Sequence, residues 1–212
     1  MNYKEYQNTR DTAWRILLDC KLAKLPIDLN PVCRALGAKA VSYQAHWKEG
    51  EVPPIAKTTD GMTFYFGDQP MILFDQSKTS DRIRFTVAHE LGHLVLGHVA
   101  PGQVTVINRE PAKTDSPLET AANQFAARLL APACVLWGVG AHTAKEISTL
   151  CHISDQAAEY RAERMEILYR RNKFLTSSLE RDVYDQFKPF IEEYRSARLL
   201  SNPPVQSRWN QD

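Results

Sequence analysis

The stretch that most constrains the fold runs from Lys78 to His98, "KTSDRIRFTVAHELGHLVLGH". Apolar residues at Ile83, Val87, Leu91, Leu94 and Val95 recur at helical spacing, Thr79 or Ser80 can cap the start, and Gly97 can end it. The pattern predicts one helix of about four turns. Three histidines and a glutamate therefore lie in a helix whose apolar face must be buried. Residues four apart stand one above the other, so His89 and His93 can aim a ring nitrogen each at a single ion. Glu90, one position round, can reach a water beside that ion without ligating it. In the His-Glu-x-x-His pattern two neutral imidazoles hold zinc, and the carboxylate takes a proton from a water whose pKa the metal lowers to about 7. The chemistry this predicts is hydrolysis, most often of a peptide bond.

Upstream, residues 9 to 24 carry Trp14, Leu17, Leu18 and Leu22 at helical spacing, and "LPIDLNPVCRALG" reads as a short second helix opened near Asp28 and ended by Gly37. Residues 38–45, 61–67 and 70–75 read as strands, the last two joined across a Gly67-Asp68-Gln69-Pro70 turn. The fold class expected is α+β, a small antiparallel three-stranded sheet packed on the histidine helix. Downstream, Ser116 and Pro117 open "PLETAANQFAARLL", which Pro132 closes. From Thr143 the pattern is helical. The last helix sets Leu179, Val183, Phe187, Phe190, Ile191 and Tyr194 roughly on one stripe, with Pro189 expected to kink or restart it.

A catalytic zinc normally has three protein ligands. From His93 to His98 is five residues, a net turn of about 140° round a helix, which points His98 away from the ion unless the chain unwinds at Gly97, and suits a solvated imidazolium at the negative helix end. A third histidine six residues after the second is absent, because position 99 is valine. Glu119 on the next helix is a candidate for a His, His, Glu site. Ser116 and Glu119 also have the spacing of a capping box, in which Glu119 would only satisfy a backbone N–H. Geometry alone leaves both readings open.

"IRFTVAHELGHLVLGH", followed 26 residues after His93 by "ETAANQFAARLLAP" and preceded by "LPIDLNPVCRALG", resembles the ImmA/IrrE family of zinc metallopeptidases over approximately residues 22 to 170. The resemblance implies that Glu119 is the third ligand beside His89 and His93. It also implies that Asn123, Phe125, Leu130 and Pro132 serve orientation and packing. The implied enzyme is a gluzincin-like zinc endopeptidase, with Glu90 as general base and later proton donor. The implied substrate is a helix-turn-helix transcriptional repressor of a mobile element or stress response, cut at limited sites. The organisation expected is a zincin-like core over residues 1–142, a helical region packed on it over 143–200, and a flexible tail over 201–212.

Composition narrows the partners. A formal net charge of +1 offers no general attraction for nucleic acid. Residues 143 to 165 look like a helix-turn-helix, but the second helix opens with Asp155 and Glu159 where phosphate contacts need cations. Ten basic residues balance ten acidic ones from Thr143 to Leu200, so direct DNA binding is not expected. Cys20, Cys33, Cys134 and Cys151 lie far apart without paired spacing, which argues against disulfides and cysteine zinc knuckles. "LLAPACVLWGVGA" is too short to span a bilayer, and the first twenty residues lack the apolar core of a signal peptide, so a cytoplasmic location is expected. The sequence carries no sign of oligomeric state.

A protein substrate is expected to lie extended along "PMILFD" or its neighbouring strand. Tyr43, Tyr65, His98 and His142 are the available types for an oxyanion stabiliser. The competing class is a non-proteolytic regulator whose zinc is structural or sensory and which binds a repressor or DNA.

Overall fold

The computed structural model describes residues 3–46, 59–101 and 116–201. In chain order it holds α1 (Tyr3–Asp19), α2 (Asn30–Ala35), β1 (Lys39–Ser42), α3 (Tyr43–His46), β2 (Gly61–Phe66), β3 (Gln69–Phe74), α4 (Ser80–Val95), α5 (Pro117–Leu130), α6 (Ala133–Val139), α7 (Ala144–Cys151), α8 (Asp155–Arg170) and α9 (Ser178–Ser201). The tail expected beyond Ser201 lies outside the described residues.

The α+β class and the small three-stranded sheet are present, with strand order β1-β3-β2. Strands β2 and β3 form the expected antiparallel hairpin, registering Thr63 with Ile72 and Phe66 with Gln69. Its turn is the two residues Gly67 and Asp68, with Gly67 at φ +59, a conformation glycine adopts without steric cost. The expected four-residue turn is thus shorter, because Gln69 and Pro70 already belong to β3. In a two-residue hairpin the closing pair is hydrogen-bonded and the next is not, so the N–H that Pro70 lacks would face away from β2. Strand β1 begins its pairing only at Met71, and the missing donor leaves no gap in the ladder.

One pairing differs from expectation: β1 runs parallel to β3, Lys39 opposite Met71 through Ser42 opposite Phe74. Antiparallel neighbours can be joined by a tight turn, whereas parallel ones need a crossover. The chain between β1 and β3 supplies one, since it passes through α3, residues 47–58 and β2 before reaching β3. The sheet has two unequal faces. Ile72 joins the main core, and Thr63 opposite it turns to α4. Met62, Leu73 and Tyr43 form a smaller cluster on the other face.

The helices share one core that reaches from Ala13 and Leu17 of α1 through Phe125 and Leu129 of α5 to Val183, Phe187 and Ile191 of α9. Burying such side chains contributes on the order of 1.5–3 kcal/mol each before entropy is counted. Helix α9 continues through Pro189 instead of restarting, and its buried stripe packs inward. The Gln186 amide donates to the carbonyls of Leu17 at 2.8 Å and Leu22 at 2.7 Å, which ties α9 to the end of α1. All four cysteines are free. Burial pushes the thiols of Cys134 and Cys151 up to about 12, so neither serves as a thiolate ligand or nucleophile near neutral pH. Among the described residues no helix is long and apolar enough to cross a membrane.

Candidate metal centre

Helix α4 is buried without interruption from Thr86 to His93. Imidazole and carboxylate groups taken that far from water must find partners, or folding loses their hydration free energy. His89 and His93 are each 1% exposed and Glu90 6%. The i, i+4 spacing does what the sequence predicts, bringing His89 Nε2 to 2.9 Å from His93 Nε2.

The third group comes from α5. Glu119 Oε2 lies 3.2 Å from His89 Nε2, and Oε1 lies 3.2 Å from His93 Nε2. Burial alone would raise the Glu119 pKa, but the imidazoles around it outweigh that and hold the carboxyl well below the usual carboxylate range. Capping and contact with the histidines divide between the backbone and side chain of one residue. The backbone N–H of Glu119 donates to Ser116 Oγ at 3.2 Å, while its carboxylate turns to the histidines. Helix α7 shows the contrasting arrangement, a complete box in which the Glu146 carboxylate accepts from the Thr143 N–H and the Thr143 hydroxyl accepts from the Glu146 N–H.

His89, His93 and Glu119 are the one group of three or more potential ligands among the described residues. Around a tetrahedral ion with bonds of about 2.1 Å, neighbouring ligand atoms stand about 3.4 Å apart. The two ring nitrogens stand 2.9 Å apart and each lies 3.2 Å from one oxygen of the Glu119 carboxylate, separations at which all three groups can share one ion. Two buried nitrogen lone pairs and a half-buried carboxylate converging on one point call for a cation, so the donor set fits a divalent metal.

Small residues make the approach possible. A Cβ on Gly92 would lie 3.0 Å from Phe125 Cδ1 and 3.3 Å from both Cα and O of Ala122. Helix α5 therefore packs against the glycine of "HELGH", and this brings Glu119 within reach. Gly92→Ala is expected to destabilise the fold. Overpacking against backbone costs about 1–3 kcal/mol, and alanine returns at most about 1 kcal/mol in helix propensity. The net loss of up to about 3 kcal/mol should lower a thermal melt by up to roughly 12 °C; a raised melting temperature would show that the helices separate without cost.

Around these donors lie groups that hold them. Asn123, one turn after Glu119, has its Oδ1 2.8 Å from His89 Nδ1. This is the orienting role that the resemblance implied. Glu90 accepts from the Thr63 hydroxyl at 2.6 Å through Oε2, which fixes the carboxylate between α4 and β2. His98 departs from expectation. Gly97 at φ +71 turns the chain back, and His98 Nδ1 comes to 2.9 Å from His93 Nδ1. Burial and the neighbouring His93 lower its pKa to about 4, so it is a neutral, half-buried imidazole and not the solvated imidazolium expected. The phase argument kept it off the ion, but it assumed a helix continuing past Val95. The glycine was the signal that it does not.

Of the remaining candidates, Tyr43 is buried with its hydroxyl 2.9 Å from Thr59 Oγ1, and burial pushes that hydroxyl up to about 12. His142 stacks on Tyr169 at 4.6 Å between centroids. Tyr65 is half-buried and, two residues after Thr63, shares its face of β2. Strand β3 is paired on both sides, so "PMILFD" cannot accept a further strand. Among the described residues β2 pairs only with β3, and it borders Glu90 through Thr63.

Residues 52–169, more than half of the chain, match the peptidase M78 family model, described as an IrrE N-terminal-like domain. No curated protein matches the chain.

Proposed function

The chain belongs to the peptidase M78 family, the IrrE N-terminal-like metallopeptidases, and from that premise we propose that it is a zinc-dependent endopeptidase of the gluzincin type. Its proposed substrate is a specific intracellular regulatory protein, a helix-turn-helix transcriptional repressor, cut at limited sites. The observation that carries the reading is a buried carboxylate, Glu90, next in sequence to one of three converging metal donors, two of them buried histidines.

His89, His93 and Glu119 would hold the zinc, which supplies Lewis acidity toward a carbonyl and lowers the pKa of an attacking water. Glu90 takes the proton of that water on its carboxylate and passes it to the leaving amine as the C–N bond breaks. The Thr63 hydroxyl keeps the carboxylate aimed during both transfers. Burial of the donors excludes bulk water, so the charges that develop are weakly screened. A substrate segment adds to the outer edge of β2, with backbone hydrogen bonds setting its register and side-chain pockets setting preference.

The test is to incubate the zinc-loaded protein with candidate helix-turn-helix repressors, any encoded by a neighbouring gene first, and identify new termini by mass spectrometry. One or a few discrete cuts, abolished by a chelator, are expected. A repressor that binds the chain yet stays intact would instead favour the non-proteolytic regulator.

A further inference from the structure

We infer that His98 is a positioning residue of the metal centre: its Nδ1 accepts the Nδ1–H of His93 and so holds that ring with Nε2 presented to the ion. The inference rests on the zinc reading above and deepens it by assigning a residue outside the ligand set.

The two Nδ1 atoms are 2.9 Å apart, and one proton lies between them. A neutral imidazole carries a single N–H. If His93 Nδ1 accepted, its proton would sit on Nε2 and point at His89 Nε2 and Glu119 Oε1, and no cation could enter. Ligation through Nε2 therefore requires His93 to donate from Nδ1, and His98 to accept on Nδ1 with its own proton on Nε2. His89 is oriented by the same logic, its Nδ1–H donated to Asn123 Oδ1 at 2.8 Å. Each ligating imidazole thus has one dedicated acceptor behind it, the arrangement by which outer groups fix tautomer and raise ligand basicity.

The backbone places His98 there. The His98 N–H donates to the His93 carbonyl at 2.9 Å and the Gly97 N–H to the Leu94 carbonyl at 3.1 Å, with Gly97 left-handed at φ +71. These are the two bonds of a Schellman ending, in which the residue after the glycine usually makes an apolar contact with the residue five positions earlier. Here those two positions are His98 and His93, and the usual apolar pair is replaced by a hydrogen-bonded imidazole pair whose inner member faces the metal. The helix ending and the metal site are one construction.

The measurement is zinc affinity by chelator competition for the full chain, His98→Ala, His98→Asn and Glu119→Ala, with circular dichroism confirming helix content. Asparagine keeps an acceptor oxygen in the place of Nδ1, whereas alanine removes it. His98→Ala should weaken zinc binding by about 10- to 100-fold, the usual effect of losing an outer-shell partner, and His98→Asn should recover most of it. Wild-type affinity in His98→Ala, or an asparagine variant as weak as alanine, overturns this inference alone. A wild-type chain that takes up no zinc, or Glu119→Ala binding as tightly as wild type, overturns the underlying metal reading and this inference with it.

Discussion

Glu90→Gln is expected to reduce turnover by about 10²–10⁴-fold, the usual worth of a positioned general base, or about 3–5 kcal/mol of transition-state stabilisation. Zinc affinity should remain within roughly threefold of wild type, well inside the range set by an outer-shell loss. The two effects separate because Glu90 is not one of the converging donors; its Oε2 is engaged by the Thr63 hydroxyl at 2.6 Å. Glutamine is isosteric and can still accept from Thr63, but its amide cannot take up the proton of the attacking water. Steady-state cleavage and a parallel zinc titration check both halves. Retained turnover would remove Glu90 from the chemistry, and zinc lost together with turnover would make it a structural support of the metal site.

Glu119→Ala is expected to weaken zinc binding by more than the about 10- to 100-fold that follows loss of an outer-shell group, because only two protein ligands would remain of the three such sites use. Helix α5 should survive the change. Its N-terminal cap uses the backbone N–H of residue 119 against Ser116 Oγ, and alanine keeps that N–H. A folded variant with sharply reduced zinc affinity is thus the predicted outcome, read by chelator competition beside circular dichroism. Unchanged affinity with lowered helix stability would mean that Glu119 acts as a cap and nothing more.

The histidine pair was legible in the sequence because i, i+4 geometry is local and a single helix carries it. The place of Glu119 was harder to see, since Ser116 and Glu119 satisfy a capping pattern and a ligand pattern at once. Only the packing of α5 on Gly92 shows that the carboxylate reaches the histidines while the backbone does the capping. His98 was misread for a physical reason. Phase arithmetic holds while the helix lasts, and α4 ends at Val95, after which Gly97 reverses the chain. The β2–β3 hairpin followed from alternation and turn residues, both short-range. The parallel β1–β3 pairing did not, because it depends on how the intervening chain crosses over, and no local pattern encodes that.

The most direct test of the account is where zinc binds. Crystals grown with one equivalent of zinc and measured at the zinc absorption edge should show one anomalous peak about 2.0–2.2 Å from Nε2 of His89, Nε2 of His93 and a carboxylate oxygen of Glu119. His98 should stand behind His93 and outside bonding distance of the metal. A peak bonded to His98, or one that the Glu119 carboxylate does not touch, would contradict it.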